Sequence, residues 1–162
     1  MNKSLLFFPP PAGSPSTQSI ENAKIRPDRK DRILLVDDEE TLLRTGQIIL
    51  TALGYEVEVE RQPEVALALV RANPSRFALV ITDQAMPLMT GLQLATAVQK
   101  ITPGLPILLL TGYGAAFTPQ QIEAAGICQL LLKPAPIPEF GAAVVAALAL
   151  RTVHRPEMVE GS

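Results

Sequence analysis

Four short, almost continuously apolar runs constrain the fold of this 162-residue chain more than any other feature. They are RILLV (32–36), FALVIT (77–82), PILLLT (106–111) and QLLL (129–132). A strand with one wet face alternates apolar and polar residues, whereas one covered on both faces is apolar throughout, as in parallel sheets. A fifth run, EVEVE (56–60), does alternate, so one face is wet and its charges suit a sheet edge. Between the runs lie helix-length segments at 41–53, 63–72, 91–101, 118–125 and 137–150. Thr90 with Gln93, and Thr118 with Gln121, have the spacing of a capping box, and Pro119 adds a first-turn proline. Gly54 suits the left-handed residue that closes a helix.

Five strand–helix units with the alternating strand at an edge predict an α/β fold. The sheet is doubly wound, five-stranded and parallel, in the flavodoxin-like order 2-1-3-4-5 with helices on both faces. The domain spans 32–150. Residues 1–31 read as a disordered linker, because PPPAGSPSTQS is rich in Pro, Ser and Gly. KIRPDRKDR then adds five basic and two acidic residues, a solvated linker or a docking tail for an acidic partner. Residues 151–162, including the lone His154, read as a flexible tail with no room for an output domain.

Composition removes several function classes. A net charge of -2 argues against a strongly basic nucleic-acid binder. The single cysteine, Cys128, makes no internal disulfide and fits a reduced, cytoplasmic setting as a small buried apolar residue. The N-terminal apolar run, Leu5 to Phe8, is shorter than the roughly 7–15 residues of a signal peptide. No stretch approaches the ~20 apolar residues of a membrane span.

In a sheet of this order, ligands bind outside the carboxyl ends of the strands, at the switch point between the first and third. The sequence places Asp37 and Asp38, Asp83, Thr111 and Lys133 at four of those ends. Each has a structural reading of its own. Asp37 to Glu40 suit the start of a helix, Asp83 a turn, Thr111 a helix cap and Lys133 a surface. Their convergence on one crevice is not explained that way. Two carboxylates 4 Å apart repel by ~1 kcal/mol in bulk water and ~4 kcal/mol at an effective dielectric of 20. A hard divalent cation removes that cost. Magnesium fits carboxylate oxygens and a phosphate, and no His/Cys ligand set points to zinc or copper.

The segments ILLVDDEE, LVITDQAMPLMTG, ILLLTGYG and LLLKPAP, in that order, resemble the signature segments of response-regulator receiver domains. The resemblance covers 32–150 and implies a phosphoacceptor module of two-component or phosphorelay signalling. It implies that Asp83 receives a phosphoryl group from a phosphohistidine on a histidine kinase or histidine phosphotransfer protein. It implies Mg2+, with Mn2+ as substitute, ligated by Asp38, Asp83 and the Ala85 carbonyl, with Asp37 acting mainly through water. Thr111 and Lys133 would contact the phosphoryl oxygens, and Lys133–Pro134 is cis in many relatives. Met86 and Leu88 are read as packing residues of the loop after Asp83.

Two features depart from the pattern. Leu130 occupies the place of the usual switch aromatic, which leaves Tyr113 or Phe117 in TGYGAAF as the moving ring. The segment FGAAVVAALAL (140–150) carries no charge and suggests a homodimer through the face formed by the fourth and fifth helices and fifth strand. Rival readings are a receiver-like docking or dimerisation module and an Asp-nucleophile phosphatase. A phosphatase of the haloacid-dehalogenase type wants a second Asp two residues after the nucleophile, where this chain has Ala85. A nucleotide-binding Rossmann module wants a Gly-rich turn where it has DDEE.

Overall fold

The structure, a computed structural model, describes residues 31–112 and 116–154, with side chains through Arg151. Five strands alternate with five helices: β1 (Arg32–Val36), α1 (Glu40–Ala52), β2 (Glu56–Glu60), α2 (Pro63–Ala72), β3 (Leu79–Asp83), α3 (Gly91–Ile101), β4 (Ile107–Thr111), α4 (Pro119–Ala124), β5 (Ile127–Leu132) and α5 (Ile137–His154). The strands pair in parallel in the order β2-β1-β3-β4-β5.

The continuous apolar runs follow from burial on both faces. Successive side chains of a strand point to opposite faces, so β1 sends Leu34 and Val36 one way and Ile33 and Leu35 the other. Leu34, Val36, Val80, Ile107 and Leu109 pack with Ala66 and Val70 of α2, Leu94 and Val98 of α3, and Ile122 of α4. Ile33, Leu35, Leu79, Ile81 and Leu108 pack with Leu43 and Leu50 of α1 and Phe140, Val144 and Ala147 of α5. The two cores hold the sheet between two layers of helix.

Edge strand β2 turns Val57 and Val59 toward the α1/α5 layer. Two of its three glutamates meet cations: Glu56 pairs with Arg32 at 2.9 Å and Glu58 with Arg76 at 2.8 Å. Both capping boxes form, Thr90 with Gln93 and Thr118 with Gln121. Gly54 has φ +98 and closes α1. No helix among the described residues is long and apolar enough to cross a membrane.

Several boundaries differ from the sequence pattern. Phe77 and Ala78 are buried yet precede β3, because the pairing of β3 with β1 begins at Leu79 opposite Ile33. β5 starts at Ile127 rather than Gln129 and pairs from there with Ile107 across a register shift. The last helix continues past 150 to His154, so the predicted tail begins inside it. Its uncharged sequence has a partial explanation, since Phe140, Val144 and Ala147 supply the stripe that faces the sheet. Leu88 is a correction: it is 94% exposed, because φ +72 turns its side chain outward, while Met86 packs inward. Tyr113 lies outside the described residues, whereas Phe117 and Leu130 pack against the α2/α3/α4-side core.

Candidate functional site: an acidic pocket at the strand ends

Strand register brings the predicted site together. Val36 lies opposite Thr82, Asp83 opposite Leu110, and Thr111 opposite Leu132. The next residues along β1, β3 and β5 therefore surround one point above the sheet. Three backbone bonds hold their chains beyond or at the strand ends. They run from the Asp37 amide to the Glu60 carbonyl (3.2 Å), from Gln84 to Leu110 (2.8 Å) and from Lys133 to Thr111 (2.8 Å).

Asp37, Asp83 and Thr111 are buried, and Asp38 is half-buried beside them. One carboxylate oxygen each from Asp37, Asp38 and Asp83 lies within 4.8 Å of the others. The Lys133 ammonium bridges two of these acids, donating to Asp83 Oδ1 at 2.8 Å and Asp37 Oδ2 at 3.2 Å. The other Asp37 oxygen accepts the Glu39 amide at 2.9 Å and shapes the entry to α1. The Lys133–Pro134 peptide bond is cis.

The electrostatics of the pocket are finely opposed. Burial pushes the Asp83 carboxyl above its ordinary range and the Asp37 charge adds to this, while the hydrogen bond and charge of Lys133 pull the other way. For Lys133, burial disfavours the ammonium, but its hydrogen bond to Asp83 and the charges of Asp37 and Asp83 outweigh it. The ammonium is therefore held above the usual lysine range and stays charged at neutral pH.

The donor set suits a hard divalent cation: three clustered carboxylates, with an Ala85 carbonyl that accepts no hydrogen bond from the described residues. Thr111 Oγ1 makes only a long contact, 3.4 Å, to the Gly112 carbonyl, so its hydroxyl can turn to a new acceptor.

The loop after Asp83 is built tightly against the end of β3. A Cβ added at Gly91 would collide with the Asp83 carbonyl and with Leu109, so a glycine is required there. Gln84 accepts the Leu92 amide at 2.9 Å and ties the first turn of α3 to the end of β3.

Sequence reasoning missed Arg61. Its Nε and Nη2 donate to the Asp38 carbonyl at 3.3 and 3.2 Å. The usable signal was register, not residue type, because Val36 pairs with Glu60 and so sets Arg61 beside the β1 end.

Comparison with known proteins agrees with this geometry. Residues 33–145 match the response regulator receiver domain, and the chain belongs to that family. It is 37% identical over 109 residues to the two-component response regulator ARR10 of Arabidopsis thaliana, covering 67% of this chain and 20% of that protein. It is 34% identical over 102 residues to the transcriptional regulatory protein GlrR of Escherichia coli K12, covering 63% and 22%. The chain thus spans about a fifth of the length of these curated relatives.

Solved structures give the same answer. A receiver domain protein from Clostridium thermocellum superposes with a TM-score of 0.71 at 28% identity, covering 76% of this chain and 98% of that one. The receiver domain of an HD domain-containing protein from Pseudomonas fluorescens Pf-5 gives 0.69 at 31%, covering 77% and 99%. Receiver domains are signalling modules of two-component systems that interact with histidine kinases or phosphotransfer proteins and bind Mg2+ in an acidic pocket.

Proposed function

We propose that this receiver domain accepts a phosphoryl group on Asp83 from the phosphohistidine of a histidine kinase or a histidine phosphotransfer protein. The observation that carries the reading is the Lys133 ammonium bridging Asp83 and Asp37 at the carboxyl end of the central strand. An Asp83 oxygen forms the new bond to phosphorus as the bond from phosphorus to the donor imidazole breaks. The electron pair stays on that nitrogen, which takes a proton from solvent. An ionised carboxylate needs no separate base for this step.

Magnesium held by Asp38, Asp83 and the Ala85 carbonyl, with Asp37 acting mainly through water, would supply positive charge toward the phosphoryl oxygens. Lys133 then exchanges its bond to Asp83 for one to a phosphoryl oxygen. The buried Thr111 hydroxyl donates to another. Phosphorylation adds about -1.5 to -2 charges at the pocket. The movement of Thr111 passes to the segment leading to α4, where Phe117 packs on the core. Coupling of ~1–3 kcal/mol from such a switch suffices to turn a weak partner on or off.

Intact-mass measurement after incubation with Mg2+ and acetyl phosphate tests the reading. The expected result is one base-labile phosphoryl adduct on the wild type, and none on Asp83→Asn or in the presence of EDTA. An equal adduct on Asp83→Asn, or none on the wild type beside a working receiver control, overturns it.

A further inference from the structure

We infer that Arg61 is a positioning residue for the acidic pocket, holding the Asp38 peptide so that the Asp38 carboxylate stays among the cation ligands. The inference rests on the pocket being a Mg2+ site and adds a residue to it from outside the carboxylate cluster.

The three acids are restrained unequally. Asp37 is fixed by Lys133 and by the Glu39 amide, and Asp83 by Lys133 and its place in β3. The Asp38 carboxylate has no hydrogen bond or ion pair with the described residues. Asp38 also belongs to neither β1 nor α1, so no ladder fixes its backbone. The peptide that follows it is held from two sides. Its amide, that of Glu39, donates to Asp37 Oδ1. Its carbonyl accepts two nitrogens of the Arg61 guanidinium, the one side-chain contact to it from outside the acidic turn among the described residues. Arg32 and Arg76 pair with glutamate side chains of β2, and Arg44 with Glu40 within α1.

Arg61 itself springs from a fixed point. Its amide and that of Gln62 both donate to Glu60 Oε1, at 2.9 and 3.1 Å. The Glu60 carbonyl accepts the Asp37 amide, tying the end of β2 to the chain it steadies. Arg61 Nη1 also faces Glu40 Oε2 at 3.8 Å, which keeps the guanidinium over the start of α1. The side chain is 61% exposed, so removing it takes little packing from either core.

Charge and position make opposite predictions, which renders the inference testable. As a mere cation near a cation site, Arg61 would repel Mg2+, and its removal would tighten binding. As a clamp, its removal loosens a ligand and weakens binding. Loss of a residue that orients a metal ligand typically costs about 10- to 100-fold in metal affinity.

The experiment is calorimetric titration of the full chain with Mg2+, for the wild type, Arg61→Ala, Arg61→Lys and Arg61→Gln, with thermal unfolding in EDTA as the fold control. We expect the dissociation constant to rise about tenfold in Arg61→Ala. Arg61→Lys keeps the charge and one donor group, so it recovers part of the loss, and Arg61→Gln gives a second uncharged variant. In acetyl phosphate reactions, the Mg2+ concentration for half-maximal rate rises while the rate at saturating Mg2+ holds. Wild-type affinity, or tighter binding, in folded Arg61→Ala overturns the clamp and leaves the pocket intact. A wild type that binds no Mg2+ overturns the pocket reading and the clamp with it.

Discussion

Replacing Asp38 with Asn should make the metal-free protein more stable while abolishing its response to Mg2+. Asp38 shares the pocket with Asp37 and Asp83 at no more than 4.8 Å, and it alone of the three has no ion pair to Lys133. At that separation each like-charge pair costs about 1 kcal/mol in water and about 3.5 kcal/mol at an effective dielectric of 20. The substitution relieves two repulsions and loses the attraction to the Lys133 ammonium between the same two acids, which leaves a net of about one like-charge pair, and no cation is left unpaired. Asp38 is half-buried and Arg61 lies on its carbonyl, so the gain belongs toward the wet limit, about 1–3 kcal/mol.

Urea unfolding followed by far-ultraviolet circular dichroism, in EDTA and then in saturating Mg2+, reads both halves. The variant should unfold at higher urea than the wild type in EDTA. Mg2+ should then stabilise the wild type by mass action and leave the variant where it was. A variant less stable than the wild type in EDTA would refute the electrostatic reasoning, because it would mean that Asp38 is satisfied without a cation.

Two glycines should respond in opposite directions to alanine. Gly91→Ala forces a methyl against the Asp83 backbone and Leu109 and should cost about 1–3 kcal/mol in urea unfolding. Gly141→Ala meets nothing nearer than Leu53 Cδ1 at 3.5 Å inside α5 and should gain up to about 1 kcal/mol; the same sign for both would contradict the packing described. Burial pushes the Cys128 thiol up to about 11, from 9.0, so at pH 8 about one thiol in a thousand is ionised and iodoacetamide labelling of the folded protein should be slow. Between those two values the folded state keeps a proton that the unfolded state has lost, so stability should fall as pH rises through that window, and Cys128→Ala should lack this component. Fast labelling at pH 8 without unfolding would show the thiol to be open.

The sheet was legible because burial on both faces writes itself into sequence as unbroken apolar runs, and Val57 and Val59 in EVEVE marked the edge by alternation. The pocket was legible for a topological reason. Once the strands are parallel and ordered, their carboxyl ends must meet, so Asp37, Asp38, Asp83, Thr111 and Lys133 converge despite their separation in the chain. Strand starts were less visible, because Phe77 and Ala78 are as apolar and buried as the strand they precede. The end of α5 was hidden by polar residues after 150, although a long helix extends over them at little cost once formed. Leu88 misled because hydrophobicity does not report φ, and one left-handed residue was enough to turn it to solvent. Arg61 could be found only after the register of β1 and β2 was known, since its contact is to a backbone carbonyl.

In the proposed function, Asp83 is the residue that carries the phosphoryl group. Borohydride reduction of the acetyl phosphate-treated protein, followed by peptide mass mapping, tests it most directly, since reduction of an aspartyl phosphate leaves homoserine at the modified position. Homoserine is expected at position 83 alone, dependent on Mg2+. Homoserine at 37 or 38, or an intact Asp83 in protein whose mass shows the adduct, would contradict it.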